Sequence, residues 1–207
     1  MEKSRDVWTI SSLLNWTINY FKSKGIESAR LDAEVLLSHV LGQKRIYLYV
    51  HFDEPMEAKE LVKFREYVAK RARHIPVAYI LGQREFMGLD FKVTKDTLIP
   101  RPDTEILVEN TIAKVNENFG DKQSYDIVDI GTGSGAIILS LLKNLPKAKG
   151  FTVDISANAV AVAKENAQNL QVDDRCEFFV GDLFEPVKDK VFDVIVSNPP
   201  YIPQKDM

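Results

Sequence analysis

The tetrapeptide Asn198-Pro199-Pro200-Tyr201 follows an apolar run, Phe192 to Val196, that reads as a β-strand, and its residue types suit one task. The Asn198 side-chain oxygen and the Pro199 main-chain oxygen are two acceptors, enough to hold both hydrogens of a single NH2 group. Proline fixes φ and makes the arrangement durable, while the ring of Tyr201 can stack on a planar group. An amide nitrogen is a weak nucleophile because its lone pair is delocalised into the carbonyl. A site that reacts there has to orient the nitrogen and shift electron density toward it, so positioning carries the rate. Read alone, the same residues could equally be a proline-rich strand exit that only turns the chain.

Asp129-Ile130-Gly131-Thr132-Gly133-Ser134-Gly135 stands at an earlier strand-to-helix turn. Glycines there let the backbone approach a ligand, and the helix N-terminus offers unpaired N–H groups. The spacing is tighter than the dinucleotide fingerprint and lacks the Walker lysine. Asp154 closes the next strand about twenty residues on, where an acidic side chain can accept from both hydroxyls of a ribose. Asp182 closes the third. In Gly181-Asp182-Leu183-Phe184 the carboxylate can accept from an adenine amine, the following N–H can meet a ring nitrogen, and apolar side chains can cover the ring. Each aspartate by itself could be a helix cap or a solvated turn residue. Together the glycine turn, Asp154, Asp182 and Asn198 fall one per successive strand end, on the carboxyl edge where open sheets bind ligands.

The elements that must position these residues begin with helices. Val7, Ile10, Leu13, Leu14, Ile18 and Phe21 recur at helical spacing before Gly25. Ser28 can cap a second helix with Leu31, Val35, Leu36 and Val40 on one side and Gly42 at its C-terminus. Pro55 can open a third, running to about Arg73 with Leu61, Phe64 and Val68 inward. The period then changes, and Phe86, Leu89, Phe91 and Val93 around Met87-Gly88 predict a short hairpin or extended linker. In Ile99-Pro100-Arg101-Pro102-Asp103-Thr104-Glu105 the prolines hold the chain extended, and Asp103 or Thr104 can cap the helix that follows. Beyond it short apolar strands alternate with helices, which predicts a parallel, doubly wound α/β sheet. The expected organisation is a helical domain over 1–83, a hairpin and linker over 84–108, and a Rossmann-like domain over 109–207.

Composition narrows the setting. The 207 residues are 45% apolar and 28% charged with a formal charge of -3, which gives no global footprint for nucleic acid. The basic run from Lys63 to His74 is interspersed with Glu57, Glu60 and Glu66 and reads as a solvated helix face. No run approaches a membrane span and the first residues lack a secretory pattern, so a cytoplasmic location is expected. The single Cys176 lies in an apolar strand and reads as filler. His39, His51 and His74 have no metal-ligand spacing, so no metal is expected.

The strand-end residues resemble those of S-adenosylmethionine-dependent methyltransferases of the Rossmann-like class, with NAD as the other cofactor the pattern admits. That resemblance implies Gly131, Thr132, Gly133, Ser134 and Gly135 beside the methionine moiety, Asp154 on the ribose, and Asp182 with Leu183 at the adenine. Asn-Pro-Pro-Tyr is shared by enzymes acting on adenine or guanine amines in nucleic acid and on glutamine amides in protein. The remaining order is more specific: Pro76 to Gly82, Glu85-Phe86, Leu98 to Glu105, the glycine turn, then Asn198 to Tyr201. This order resembles the HemK/PrmC family, the peptide chain release factor glutamine methyltransferases. The resemblance implies N5-methylation of the glutamine in the Gly-Gly-Gln loop of class 1 release factors, with the helical domain helping to dock the partner. Asn198, Pro199, Pro200 and Tyr201 would grip the amide, and Arg101 would help close the cofactor pocket. The family's sheet has the order 3-2-1-4-5-7-6, so a chain ending at Met207 is expected to supply 3-2-1-4, with an exposed apolar edge. A truncated chain that binds without turnover is the alternative to an active enzyme.

Overall fold

Thr9 starts the first helix by a reciprocal cap: the Ser12 amide donates to Thr9 Oγ1 at 3.3 Å and the Thr9 amide donates to Ser12 Oγ at 2.9 Å. The computed structural model describes residues 7–199, so Pro200 and Tyr201 lie outside the described residues. The chain forms two units, Met1–Leu81 and Gly82–Met207. The first is helical: α1 (Ile10–Ser23), α2 (Ala29–Leu41), α3 (Tyr47–Val50), α4 (Ala58–Arg71) and α5 (Val77–Leu81). Ile10, Leu13, Phe21, Leu36, Leu37, Phe64 and Val68 are buried together in its core.

Three local expectations change here. Ser28 does not cap α2; its hydroxyl donates instead to Asp32 Oδ2 at 2.8 Å. Pro55 does not open α4, because it bridges to Thr9, and Glu57 with Glu60 caps the helix two residues later. The buried side of α2 is also rotated: Leu31 is exposed, while Asp32 and Glu34 point inward. Two arginines make that orientation tolerable. Arg71 Nε donates to Asp32 Oδ2 at 2.7 Å, and Arg45 Nη2 donates to Glu34 Oε2 at 2.6 Å. Arg71 therefore belongs to the helical core and not to the solvated basic face.

The second unit opens with the hairpin β1 (Gln83–Phe86) and β2 (Leu89–Lys92), which are antiparallel. Met87 and Gly88 turn it with φ of 53° and 70°, the paired left-handed conformation of a two-residue hairpin. A 3-10 turn at Pro102–Thr104 leads into α6 (Glu105–Phe119). Then come β3 (Tyr125–Ile130), α7 (Ala136–Asn144), β4 (Ala148–Asp154), α8 (Ala157–Asn169), β5 (Cys176–Val180) and β6 (Val194–Ser197). The strands are parallel in the order β5-β4-β3-β6, the expected half of the family's sheet. Among the described residues β6 is an edge, with Ile195 59% exposed.

The stretch over 84–108, expected as a hairpin and linker, sends Phe86, Phe91 and Val108 into the core of this unit. They pack with the apolar α7, whose Ile138, Leu139, Leu141 and Leu142 are fully buried. Cys176 is buried in the same core, which pushes its thiol up to about 12 and leaves it inert. Arg175, just before β5, donates to the carbonyls of Leu142 and Ala148 at 2.7 and 3.1 Å, closing the far end of α7 and β4.

Asn166 on α8 is the polar fastener of the unit. It is fully buried, accepts from the Lys92 amide at 2.8 Å, and donates to the Lys92 and Ser134 carbonyls at 3.0 and 2.8 Å. One side chain thus joins α8, the hairpin and the glycine turn. Substituting Asn166→Ala leaves three main-chain groups without this partner, the Ser134 carbonyl buried and the two of Lys92 partly so. Urea denaturation is expected to show a loss of about 2–4 kcal/mol, whereas a loss below ~0.5 kcal/mol would mean that water replaces the amide.

Candidate functional site

The glycine turn is shaped by φ values of 82°, 56° and 81° at Gly131, Gly133 and Gly135. At Gly131 and Gly133 a Cβ would face open space, so the left-handed backbone is what requires glycine there. Gly135 carries a second demand besides its left-handed backbone, because a Cβ there would stand 2.9 Å from Leu139 Cδ1 and 3.2 Å from Ala163 Cβ, where α7 packs on α8.

Most polar groups of the turn are used to hold the turn itself. The Gly131 and Thr132 amides donate to the Val153 carbonyl at 2.9 and 3.2 Å, and the Thr132 hydroxyl donates to the same oxygen at 3.2 Å. Thr132 and Ser134 are largely buried in the lining of the cleft, and the Thr132 hydroxyl is already engaged by the Val153 carbonyl. The Gly133 amide donates to Asp154 Oδ2 at 2.8 Å, and the Ser156 amide donates to Asp154 Oδ1 at 2.9 Å. Asp154 is thereby oriented by backbone on both oxygens, and each oxygen keeps a lone pair for a ligand hydroxyl.

Asp182 and Leu183 stand exposed after β5. Gly181 permits the approach: its amide donates to the Asp154 carbonyl at 3.1 Å, and a Cβ there would lie 2.3 Å from Pro186. Leu183 holds φ of 44°, a left-handed conformation uncommon for a bulky residue, with its side chain 62% exposed. Ile155, directly after Asp154, is 75% exposed. Two apolar side chains therefore stand open at adjacent strand ends, a pairing suited to a flat ring. Ile155 was not singled out from the sequence, although its position after the strand-closing aspartate was the available signal.

At the other end of the edge, the Ser197 hydroxyl donates to the Ile130 carbonyl at 2.7 Å and pins the exit of β6 beside the glycine turn. Asn198 follows, and its Nδ2 donates to Thr104 Oγ1 at 3.0 Å. Thr104 was expected as a helix cap, but its side chain makes no cap bond. Arg101, exposed, has no ion pair among the described residues. Leu98, Arg101, Thr104 and Asn198 line both the glycine-turn cleft and an adjoining cavity of about 320 Å³ that also takes in Asp103, Leu107 and Pro199. The structure thus brings Arg101, Asn198, Pro199 and the glycine turn around connected space, with Asp154 and Asp182 along the same edge. The Pro200 and Tyr201 expectations fall outside the described residues.

Comparison with known proteins covers both units. Residues 12–82 match the PrmC N-terminal domain and residues 104–207 the methyltransferase small domain. The release factor glutamine methyltransferase of Rhodopirellula baltica is 46% identical over 99% of this chain and 70% of its own length. The protein of the same description from Geobacter sulfurreducens is 46% identical over all of this chain and 70% of its own. Among solved structures, a ribosomal protein L11 methylase from Lactobacillus delbrueckii aligns with 52% of this chain and 51% of its own at 25% identity and a TM-score of 0.41.

Beneath the turn, Asp129 is 1% exposed; no group meets its carboxylate oxygens in good hydrogen-bond geometry, although the Ile138 amide is near enough to favour its charge. Burial raises its pKa to about 7; the Ile138 amide at the start of α7 opposes the rise and the charge of Asp154 adds to it. The folded state therefore binds this proton more tightly than the unfolded chain. Its stabilisation is present below about pH 4 and is lost as pH rises toward 7. The difference in stability between Asp129→Asn and the parent chain is expected to shift in favour of the variant by roughly 2–4 kcal/mol from pH 4 to pH 8. Denaturation at a series of pH values checks this, and a constant difference would show that Asp129 does not titrate in the range.

Proposed function

The chain belongs to the family of release factor glutamine methyltransferases, and from that premise we propose that it methylates N5 of the Gly-Gly-Gln glutamine in class 1 peptide chain release factors. S-adenosylmethionine would supply the methyl group, whose transfer turns the sulfonium into a neutral thioether. The chain's own residues fit such a group. The left-handed Gly131 and Gly133 leave the cleft open, and the turn leads into the N-terminus of α7, an end that would favour a ligand carboxylate. Asp154 has acceptor capacity for a ribose, and Ile155 with Leu183 offers apolar cover for adenine beside Asp182. Arg101 closes the cleft from the other side.

The observation that carries the reading is Asn198, standing in the wall shared by the glycine-turn cleft and the adjoining cavity. Asn198 Oδ1 and the Pro199 carbonyl accept the two hydrogens of the glutamine NH2, which localises electron density on nitrogen. Pro200 and Tyr201, which lie outside the described residues, belong to this clamp by the resemblance of the motif alone. With the cofactor bound, the oriented nitrogen would take the methyl carbon as the carbon–sulfur bond opens, and its surplus proton would pass to solvent. No side chain has to act as base, because the alkylated nitrogen is strongly acidic.

The partner is a release factor, docked with help from the helical unit, and nucleic acid is not the substrate. No helix among the described residues is long and apolar enough to cross a membrane. The reaction takes place in the cytoplasm, where translation terminates. Incubation with release factor and methyl-labelled S-adenosylmethionine is expected to label the Gly-Gly-Gln glutamine, and Asn198→Ala to lower the rate at least ~100-fold. Label appearing in DNA or RNA and not in the release factor would overturn the substrate assignment.

A further inference from the structure

A carboxamide has nearly the same shape at its oxygen and nitrogen ends, yet only the oxygen end can hold an NH2 group. If Asn198 meets a glutamine amide, the opposite end of its side chain must spend a hydrogen elsewhere. Thr104 Oγ1 takes that hydrogen at 3.0 Å, across 94 residues of chain. We propose that Thr104 is a positioning residue that sets the orientation of the Asn198 carboxamide, turning Oδ1 toward the substrate. The proposal rests on the reading of Asn198 as the amide clamp.

Both ends of this contact are fixed independently. Ser197 ties the exit of β6 to Ile130 on the central strand. On the other side, Glu105 Oε1 accepts from the Met87 amide at 2.7 Å and holds the start of α6 against the hairpin turn. Thr104 is partly buried, its own amide donates to the Arg101 carbonyl at 3.0 Å, and its hydroxyl performs no capping. The hydroxyl is therefore surplus to the helix. Its recorded partner is Asn198, and the pair stands where the cleft and the larger cavity share a wall. Valine has the shape of threonine without the acceptor, so in Thr104→Val the Asn198 NH2 loses its partner whenever Oδ1 faces substrate.

The test combines kinetics with a direct view of the amide. In the ligand-free chain, the Asn198 side-chain NH2 signal, assigned by its disappearance in Asn198→Ala, should exchange slowly with water. Thr104→Val should shift the signal and speed exchange, while Thr104→Ser should preserve both. In methyl transfer to release factor, Thr104→Val is expected to lower kcat roughly 10–100-fold while KM for S-adenosylmethionine stays within about 3-fold. Thr104→Ser should restore most of the rate. In an Asn198→Ala background, Thr104→Val should add less than about a 2-fold loss, because the two residues act as one unit. An NH2 signal unmoved by Thr104→Val, multiplying losses in the double variant, or a loss confined to cofactor KM would each overturn the proposal. A fully active Asn198→Ala protein would instead overturn the clamp reading on which it rests. Should Thr104→Val fail to fold, the exchange rate in the parent and in Thr104→Ser still decides, with fast exchange in the parent counting against the proposal.

Discussion

Parallel pairing on both sides of β3 is the constraint from which the site follows. A parallel neighbour requires a crossover connection, usually a helix, and successive crossovers of one hand carry the chain along one direction of the sheet. Here the chain runs from β3 to β4 and β5 on one side and then returns to lay β6 on the other. The loops after β3 and β6 consequently diverge, and a crevice opens at the carboxyl end of the central strand. Both halves of the site face that crevice: the glycine turn leaves β3, and Asn198 leaves β6 one residue after Ser197, which pairs with Ile130.

The crevice keeps its shape because its loops are bonded to the sheet and to one another. The Val153 carbonyl accepts three donors from the turn, and Asp154 accepts two backbone amides. Asn166 reaches the turn from below through Ser134. With their conformational freedom already removed, these groups need little reorganisation to receive a ligand. Buried polar groups elsewhere follow the same rule, as Asp32 with Arg71 and Glu34 with Arg45 show. Asp129 departs from it, as do the buried hydroxyls of Thr17, Ser38, Ser140 and Thr152, but it is the one ionisable group among these.

The helical unit and the sheet unit differ in how openly their sequences declare them. In the sheet unit the apolar runs are short and bounded by glycine, aspartate or proline, with β3 and β4 almost wholly buried, so the strands and their parallel order were legible. The chemistry-bearing residues were legible for the same reason: they close those runs. In the helical unit periodicity located the helices but misjudged which side of α2 is buried. Asp32 and Glu34 look like surface residues until Arg71 and Arg45 supply their charges, and those partners come from other segments.

What the sequence determined by itself was the set of strand ends, the need for glycine at Gly131 and Gly133, and the family to which the order of motifs belongs. These depend on neighbours within a few residues, where backbone sterics and hydrophobic period act directly. Only the tertiary structure decided what each polar side chain touches. Thr104 turned from an expected cap into the partner of Asn198, Thr132 into a brace on β4, and Asn166 into the fastener of three elements. Such bonds join residues far apart in the chain and exist only where folding brings a donor and an acceptor within about 3 Å.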